Sequence, residues 1–159
     1  MTTLATPTTD LDQAKSDLDE IGYCIVENAL TPEQVAATKA RLVEVARYER
    51  ESGIEFVGFE GRNNQRTWAL LNRGPEFCGL AEHPIGLELV AHAFRRPIPN
   101  IDFLLSSITA NIAGPGGPAM QVHTDQGYVP PPWPPYPLVA NVMWMLDDFT
   151  EENGATRLV

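Results

Sequence analysis

The hydrophobic pattern of this chain changes period near residue 100, and that change limits the folds open to it. Before it, apolar residues recur every three or four positions, as in Leu11, Ala14, Leu18 and Ile21, the spacing of a helix with one buried face. After it, Ile101 to Ile112 and Leu138 to Leu146 are apolar-rich runs with partial alternation, the pattern of strands. Helices first and strands later is the order of an α+β domain. At 159 residues the chain can bury a core as one domain. It divides into a loose Thr-rich tail (1–9), a helix-rich part (10–100) and a β-rich part (101–159), with no internal repeat and no interdomain linker.

Local signals place the elements. Gly22 ends the first helix, and Tyr23 to Val26 is a short β-type run. Thr31-Pro32-Glu33-Gln34 starts a second helix, with Thr31 as cap, Pro32 at the first helical position and Gln34 completing a capping box. That helix is expected to reach about Glu51, bury Val35, Thr38, Leu42, Val45 and Ala46, and stop at Gly53. Ile54 to Phe59 and Thr67 to Leu71 read as strands around a polar turn, Glu60 to Gln65. Pro75 opens a short helix ending near His83, and Ile85 to Phe94 is another helical piece. Asn153-Gly154 signals a hairpin, with Ala155 to Val159 pairing back antiparallel.

Composition excludes several classes of function. The chain is 43% hydrophobic and 20% charged, a globular balance. Its formal net charge of -10 would repel phosphate backbones and anionic membrane surfaces, so neither nucleic acid nor membrane is an expected partner. No run of ~18 apolar residues occurs and no basic segment precedes an apolar one at the N-terminus, so a soluble, cytoplasmic protein is expected. Cys24 and Cys78 are far apart in apolar segments and read as buried, reduced thiols.

The chemistry concentrates in Gln121-Val122-His123-Thr124-Asp125, between a Gly/Pro hinge (Ala113 to Ala119) and a proline loop (Val129 to Pro137). In an extended segment residues i and i+2 face the same way, so His123 and Asp125 would present an imidazole and a carboxylate together. That is two thirds of the 2-His-1-carboxylate triad that holds non-heme Fe(II) with open positions opposite. The same pair could equally be a hydrogen-bonded couple on a strand with no metal. His83 and His92 lie on helices and read as surface or hydrogen-bonded residues.

Three segments in order resemble the phytanoyl-CoA dioxygenase family. Asp19 to Leu30 followed by Thr31-Pro32-Glu33-Gln34-Val35 is similar to that family's opening helix, strand and helix. His123-Thr124-Asp125 matches its metal motif, and Asp147 to Val159 resembles the hairpin that follows. The resemblance implies N-terminal helices packed on a double-stranded β-helix (jelly-roll, cupin-like) core. It also implies an Fe(II) centre, 2-oxoglutarate as cosubstrate, O2, and hydroxylation of an unactivated C–H bond of a small-molecule substrate. His123 and Asp125 would be metal ligands, and the carboxylate at 125 favours hydroxylation over halogenation. Thr109, Asn111 and Asn141 are then candidates for the cosubstrate pocket, or ordinary polar strand surface. Gln121 shares the face of His123 and could orient ligand or cosubstrate. Tyr128 lines the substrate entrance or simply packs. The proline loop, with Trp133 and Tyr136, is a stiff lid over the site or a polyproline II ligand for another domain. Trp144 and the methionines beside it read as core.

The resemblance covers only the family's N-terminal part. The family's distal histidine ligand and its 2-oxoglutarate-binding arginine come later, so the third ligand is absent from this chain, the core is expected to be incomplete at its C-terminus, and truncation is the expectation. The competing reading is a non-catalytic β-sandwich binding or interaction protein without a complete metal site.

Overall fold

The expected helices form, with the expected ends. They are α1 (Leu11–Glu20), α2 (Pro32–Glu51), α3 (Pro75–Ala81) and α4 (Pro84–Arg95). The computed structural model describes residues 4–58 and 63–158. Asp10 caps α1 by accepting the backbone N–H groups of Asp12 (2.9 Å) and Gln13 (3.4 Å). Beyond α1, Gly22 has φ 90°, in the left-handed region that a side chain disfavours. Two compact units emerge: Met1–Thr31 with Ala81–Leu104 and Thr124–Val142, and Pro32–Leu80 with Leu105–His123 and Met143–Val159.

In the first unit α1 packs on α4 through charged pairs along the seam. Lys15 Nζ lies 2.6 Å from Glu88, while Asp19 accepts from His92 Nε2 (3.0 Å) and Arg96 Nε (3.1 Å). The hydrogen bond that Lys15 donates to Glu88 raises the pKa of Lys15 above the ordinary lysine value. Tyr23 to Val26 does not form the expected strand. A single parallel bridge from Thr8 to Val26 stands in its place, because one bridge cannot propagate a ladder.

The second unit holds the hydrophobic core. Leu42, Leu70 and Phe77 form it, and Ile108, Ala110, Ile112 and Leu146 pack against them. Strand β1 (Asn64–Thr67) pairs antiparallel with β2 (Ala110–Ala113), setting Arg66 opposite Asn111 and Thr67 opposite Ala110. Helix α2 buries Thr38, Leu42, Val45 and Ala46 as the periodicity requires, while Val35 is half-buried. It also buries Glu49, which is 5% exposed. Glu49 Oε2 accepts from Gln65 Nε2 (3.2 Å) and Thr67 Oγ1 (3.1 Å), and Oε1 pairs with Arg73 Nη2 at 3.4 Å. A buried carboxylate is tolerated because three donors converge on it.

The β-rich half departs from the alternation. An α+β arrangement is present, but its sheet has two strands among the described residues. Strand β1 starts at Asn64, inside the expected turn, and Ile54 to Gly58 contributes only a bridge from Val57 to Gln65. Phe59 to Arg62 lie outside the described residues. The expected strand Thr67 to Leu71 ends at once, because Ala69 turns left-handed (φ 55°) and Leu70–Asn72 form a 3-10 turn. Of Ile101 to Ile112 only the end joins a strand, and Leu138 to Leu146 joins none. Alternation makes a strand only where a neighbour supplies the ladder.

Asn153-Gly154 makes no hairpin among the described residues, and Val159 of the expected return segment lies outside them. Asn153 Oδ1 accepts the Thr150 N–H at 2.8 Å and its amide donates to Asp148 O, so Glu151–Asn153 wind into a 3-10 turn closed by Gly154 at φ 89°. The thiols are free and half-buried rather than buried. Met143 and Met145 are 53% and 46% exposed, against the core position expected of them, and Trp144 is half-buried. Among the described residues no helix is long and apolar enough to cross a membrane.

Glu49→Ala should lower the unfolding free energy by about 2–3 kcal/mol, because Thr67 and Gln65 lose a buried acceptor. Glu49→Gln should cost less. Urea unfolding checks the order, and equal losses would refute the network. Burial, with a smaller contribution from Asp17, pushes the Cys24 thiol pKa up, so less thiolate is present near pH 8. Iodoacetamide should therefore alkylate Cys24 more slowly than a free cysteine, with its rate midpoint at higher pH.

Candidate metal and substrate site

The hinge before the motif is a tight backbone approach. Gly114 N–H donates to Asn63 O at 2.7 Å, and a Cβ at 114 would collide with that same carbonyl oxygen. Asn63 Nδ2 donates to Pro115 O (2.8 Å), and Gly117 N–H closes a turn on Gly114 O (3.1 Å). The chain then runs from Pro118 to His123 along Arg66, lining an open groove of about 620 Å³. Arg66 projects from β1 on the face opposite the buried Gln65 and Thr67. Its Nε donates to Asn111 Oδ1 at 2.7 Å, and its guanidinium lies 5.5 Å from the Trp68 ring centroid.

His123 Nδ1 is 2.8 Å from the backbone carbonyl of Gln121. A carbonyl can only accept, so the proton is on Nδ1 and the basic lone pair is on Nε2. Metal-ligating histidines commonly use this arrangement, with the second nitrogen tied to a carbonyl or carboxylate. Asp125 belongs to the first unit and opens a turn held by Gly127 N–H on Thr124 O (3.0 Å) and Val129 N–H on Gln126 O (2.9 Å). The extended geometry that would set Asp125 on the face of His123 therefore does not continue through it. Asn141 Nδ2 donates to Asp125 Oδ2.

The groove brings Gln121 and His123 beside Arg66, with Asn111 held on the arginine. Thr109 is half-buried just ahead of β2 and is not in the groove wall. Asn141 meets Asp125 instead. Tyr128 is 73% exposed, and Trp133 is tied to its own loop by Nε1 donating to Val129 O at 2.7 Å. Among the described residues, no three His, Cys, Asp or Glu side chains are grouped to hold a metal ion. The donor types at 123 and 125, a basic imidazole nitrogen and a carboxylate, suit Fe(II). Arg66 escaped the sequence reading because it fell between an expected turn and an expected strand. Gln65, Arg66 and Thr67 are all polar, so the sequence carries no alternation there, and only the burial of Gln65 and Thr67 in the fold turns the arginine away from the core.

Residues 18–159 match the family described as Phytanoyl-CoA dioxygenase (PhyH). The chain belongs to this family. Among curated relatives, Dioxygenase sphC of Aspergillus fumigatus is 29% identical over 168 residues, covering 97% of this chain and 45% of the relative. Dioxygenase af480 of Aspergillus fumigatus is 30% identical over 156 residues (96% and 48%), and Multifunctional dioxygenase prhA of Penicillium brasilianum is 30% identical over 162 residues (96% and 52%). This PhyH-family chain thus spans about half the length of the curated relatives it matches. No solved structure matches it.

Imidazole 15N chemical shifts should identify neutral His123 as the Nδ1–H tautomer. An Nε2–H pattern would contradict the Gln121 tether.

Proposed function

We propose that this protein is an Fe(II)- and 2-oxoglutarate-dependent dioxygenase that hydroxylates an unactivated C–H bond of a small molecule in the cytoplasm, on a jelly-roll core. Family membership over residues 18–159 supports the class of reaction. The observation that carries the site is the groove in which Arg66, Gln121 and a carbonyl-tethered His123 meet.

In this reading His123 would hold the metal through Nε2 and Asp125 through its carboxylate. A metal held there would supply the chemistry of O2 activation with 2-oxoglutarate as reductant. The Gln121 carbonyl fixes the imidazole ring and its tautomer, so the ligand does not have to reorient on binding. Arg66 offers a guanidinium to a carboxylate of the dianionic cosubstrate, a pairing suited to its forked donors. Asn111 holds that guanidinium in place, and Thr109 lies close behind on the same segment. Tyr128 and Trp133 stand on the exposed loop after Asp125 and contribute apolar surface for substrate and for keeping water away.

Incubating the native protein with Fe(II), 2-oxoglutarate and O2 should release succinate, and a small-molecule screen should find compounds that stimulate it. His123→Ala should abolish release. Arg66→Leu should raise the KM for 2-oxoglutarate about 10- to 100-fold, the loss of one charge-assisted hydrogen-bonding partner, with a smaller change in kcat. A native protein that neither binds divalent metal nor turns over 2-oxoglutarate is a binding protein, and the enzyme reading is then wrong.

A further inference from the structure

We propose that Asn141 is a positioning residue for Asp125, its side-chain amide fixing which carboxylate oxygen faces a divalent cation. The proposal rests on reading Asp125 as a metal ligand. Asn141 Nδ2 donates to Asp125 Oδ2 across 16 positions of sequence. A carboxylate oxygen only accepts, so the amide must present its NH2 side, which settles its orientation. Both residues lie in the unit that includes Thr124–Val142, one before and one after the proline loop.

The connection between them is pinned at short intervals. Gly127 N–H bonds Thr124 O (3.0 Å), Val129 N–H bonds Gln126 O (2.9 Å), and Trp133 Nε1 bonds Val129 O (2.7 Å). Proline fixes φ at six of the nine positions from Val129 to Pro137, which removes much of the freedom that would otherwise part the two ends. The loop therefore acts as a stiff spacer that returns Asn141 to Asp125.

An exposed aspartate samples several rotamers, and a charge-assisted hydrogen bond confines it. With one lone pair of Oδ2 taken by the Asn141 amide, Oδ2 is the less available oxygen for a cation, and one-atom binding through the carboxylate is favoured. One-atom binding occupies one coordination position and leaves more of them open for cosubstrate and O2, which a triad site requires. Asn141 thus acts on the metal through its ligand.

The test uses the native protein with Co(II) as a spectroscopic probe. Asn141→Leu removes the donor at similar volume and should weaken Co(II) binding about 10- to 100-fold, with altered d–d bands as the carboxylate changes its mode of binding. Asn141→Gln, which retains an amide, should recover part of the affinity. In the double variant Asp125→Ala/Asn141→Leu the loss should not exceed that of Asp125→Ala alone. If Asp125→Ala loses Co(II) while Asn141→Leu matches the parent in affinity and spectrum, positioning is overturned and the metal site stands. If His123→Ala and Asp125→Ala both bind Co(II) like the parent, the site reading fails and the positioning role with it. Should Asn141→Leu not fold, the side-chain amide proton resonances of Asn141 in the parent decide. They should move on Asp125→Asn, and unmoved resonances overturn the contact.

Discussion

Glu49 is the constraint on which the second unit turns. It places an acceptor between helix α2 and strand β1, and three donors from β1 and the segment beyond it converge there. The apolar cluster of Leu42, Leu70 and Phe77 is small, so the direction of β1 depends on polar contacts as well as on burial. A carboxylate buried without those donors would cost several kcal/mol, so any shift of β1 along α2 is opposed. Gln65 and Thr67 must face inward to reach Glu49, and the pleat then turns Arg66 outward. The groove wall beside His123 is a consequence of that register.

The helices were legible because their signals are local. Asp10, Pro32, Gly22 and Gly53 mark ends by backbone chemistry that needs no distant partner. The strands were less legible for the converse reason. Leu138 to Leu146 alternates as a strand should, yet alternation describes which faces could be buried and not which neighbour pairs. Asn153-Gly154 misled for a related reason, since the side chain that favours a hairpin turn also captures nearby backbone and winds a 3-10 turn. Glu49 was unreadable. A glutamate late in a charged helix looks solvated until its partners, 16 and 18 residues further on, are folded beside it.

The candidate site was half legible. His123 and Asp125 are a short motif flanked by segments that carry the family pattern, and Gln121 follows by proximity. What the motif does not contain is the means of holding each side chain. His123 is held by the main chain two residues earlier, an i to i-2 contact that any residue at 121 could supply. Asp125 is held by a side chain, so identity at 141 matters where identity at 121 does not for this purpose. Arg66 was hidden by a turn read as ending at Gln65 in place of a strand that had already begun.

The two tethers also differ in what they control. A hydrogen bond at Nδ1 of an imidazole fixes the protonation of a ring with one remaining donor atom, so its effect is on tautomer and angle. A hydrogen bond at one oxygen of a carboxylate bears on denticity, because both oxygens can reach the same cation. If the site holds Fe(II) as proposed, it must admit a chelating cosubstrate and O2, and the carboxylate is the ligand whose variability would close the open positions. Restraint by Asn141 would then be the more consequential of the two, acting across a proline-rich loop from a residue 16 positions away.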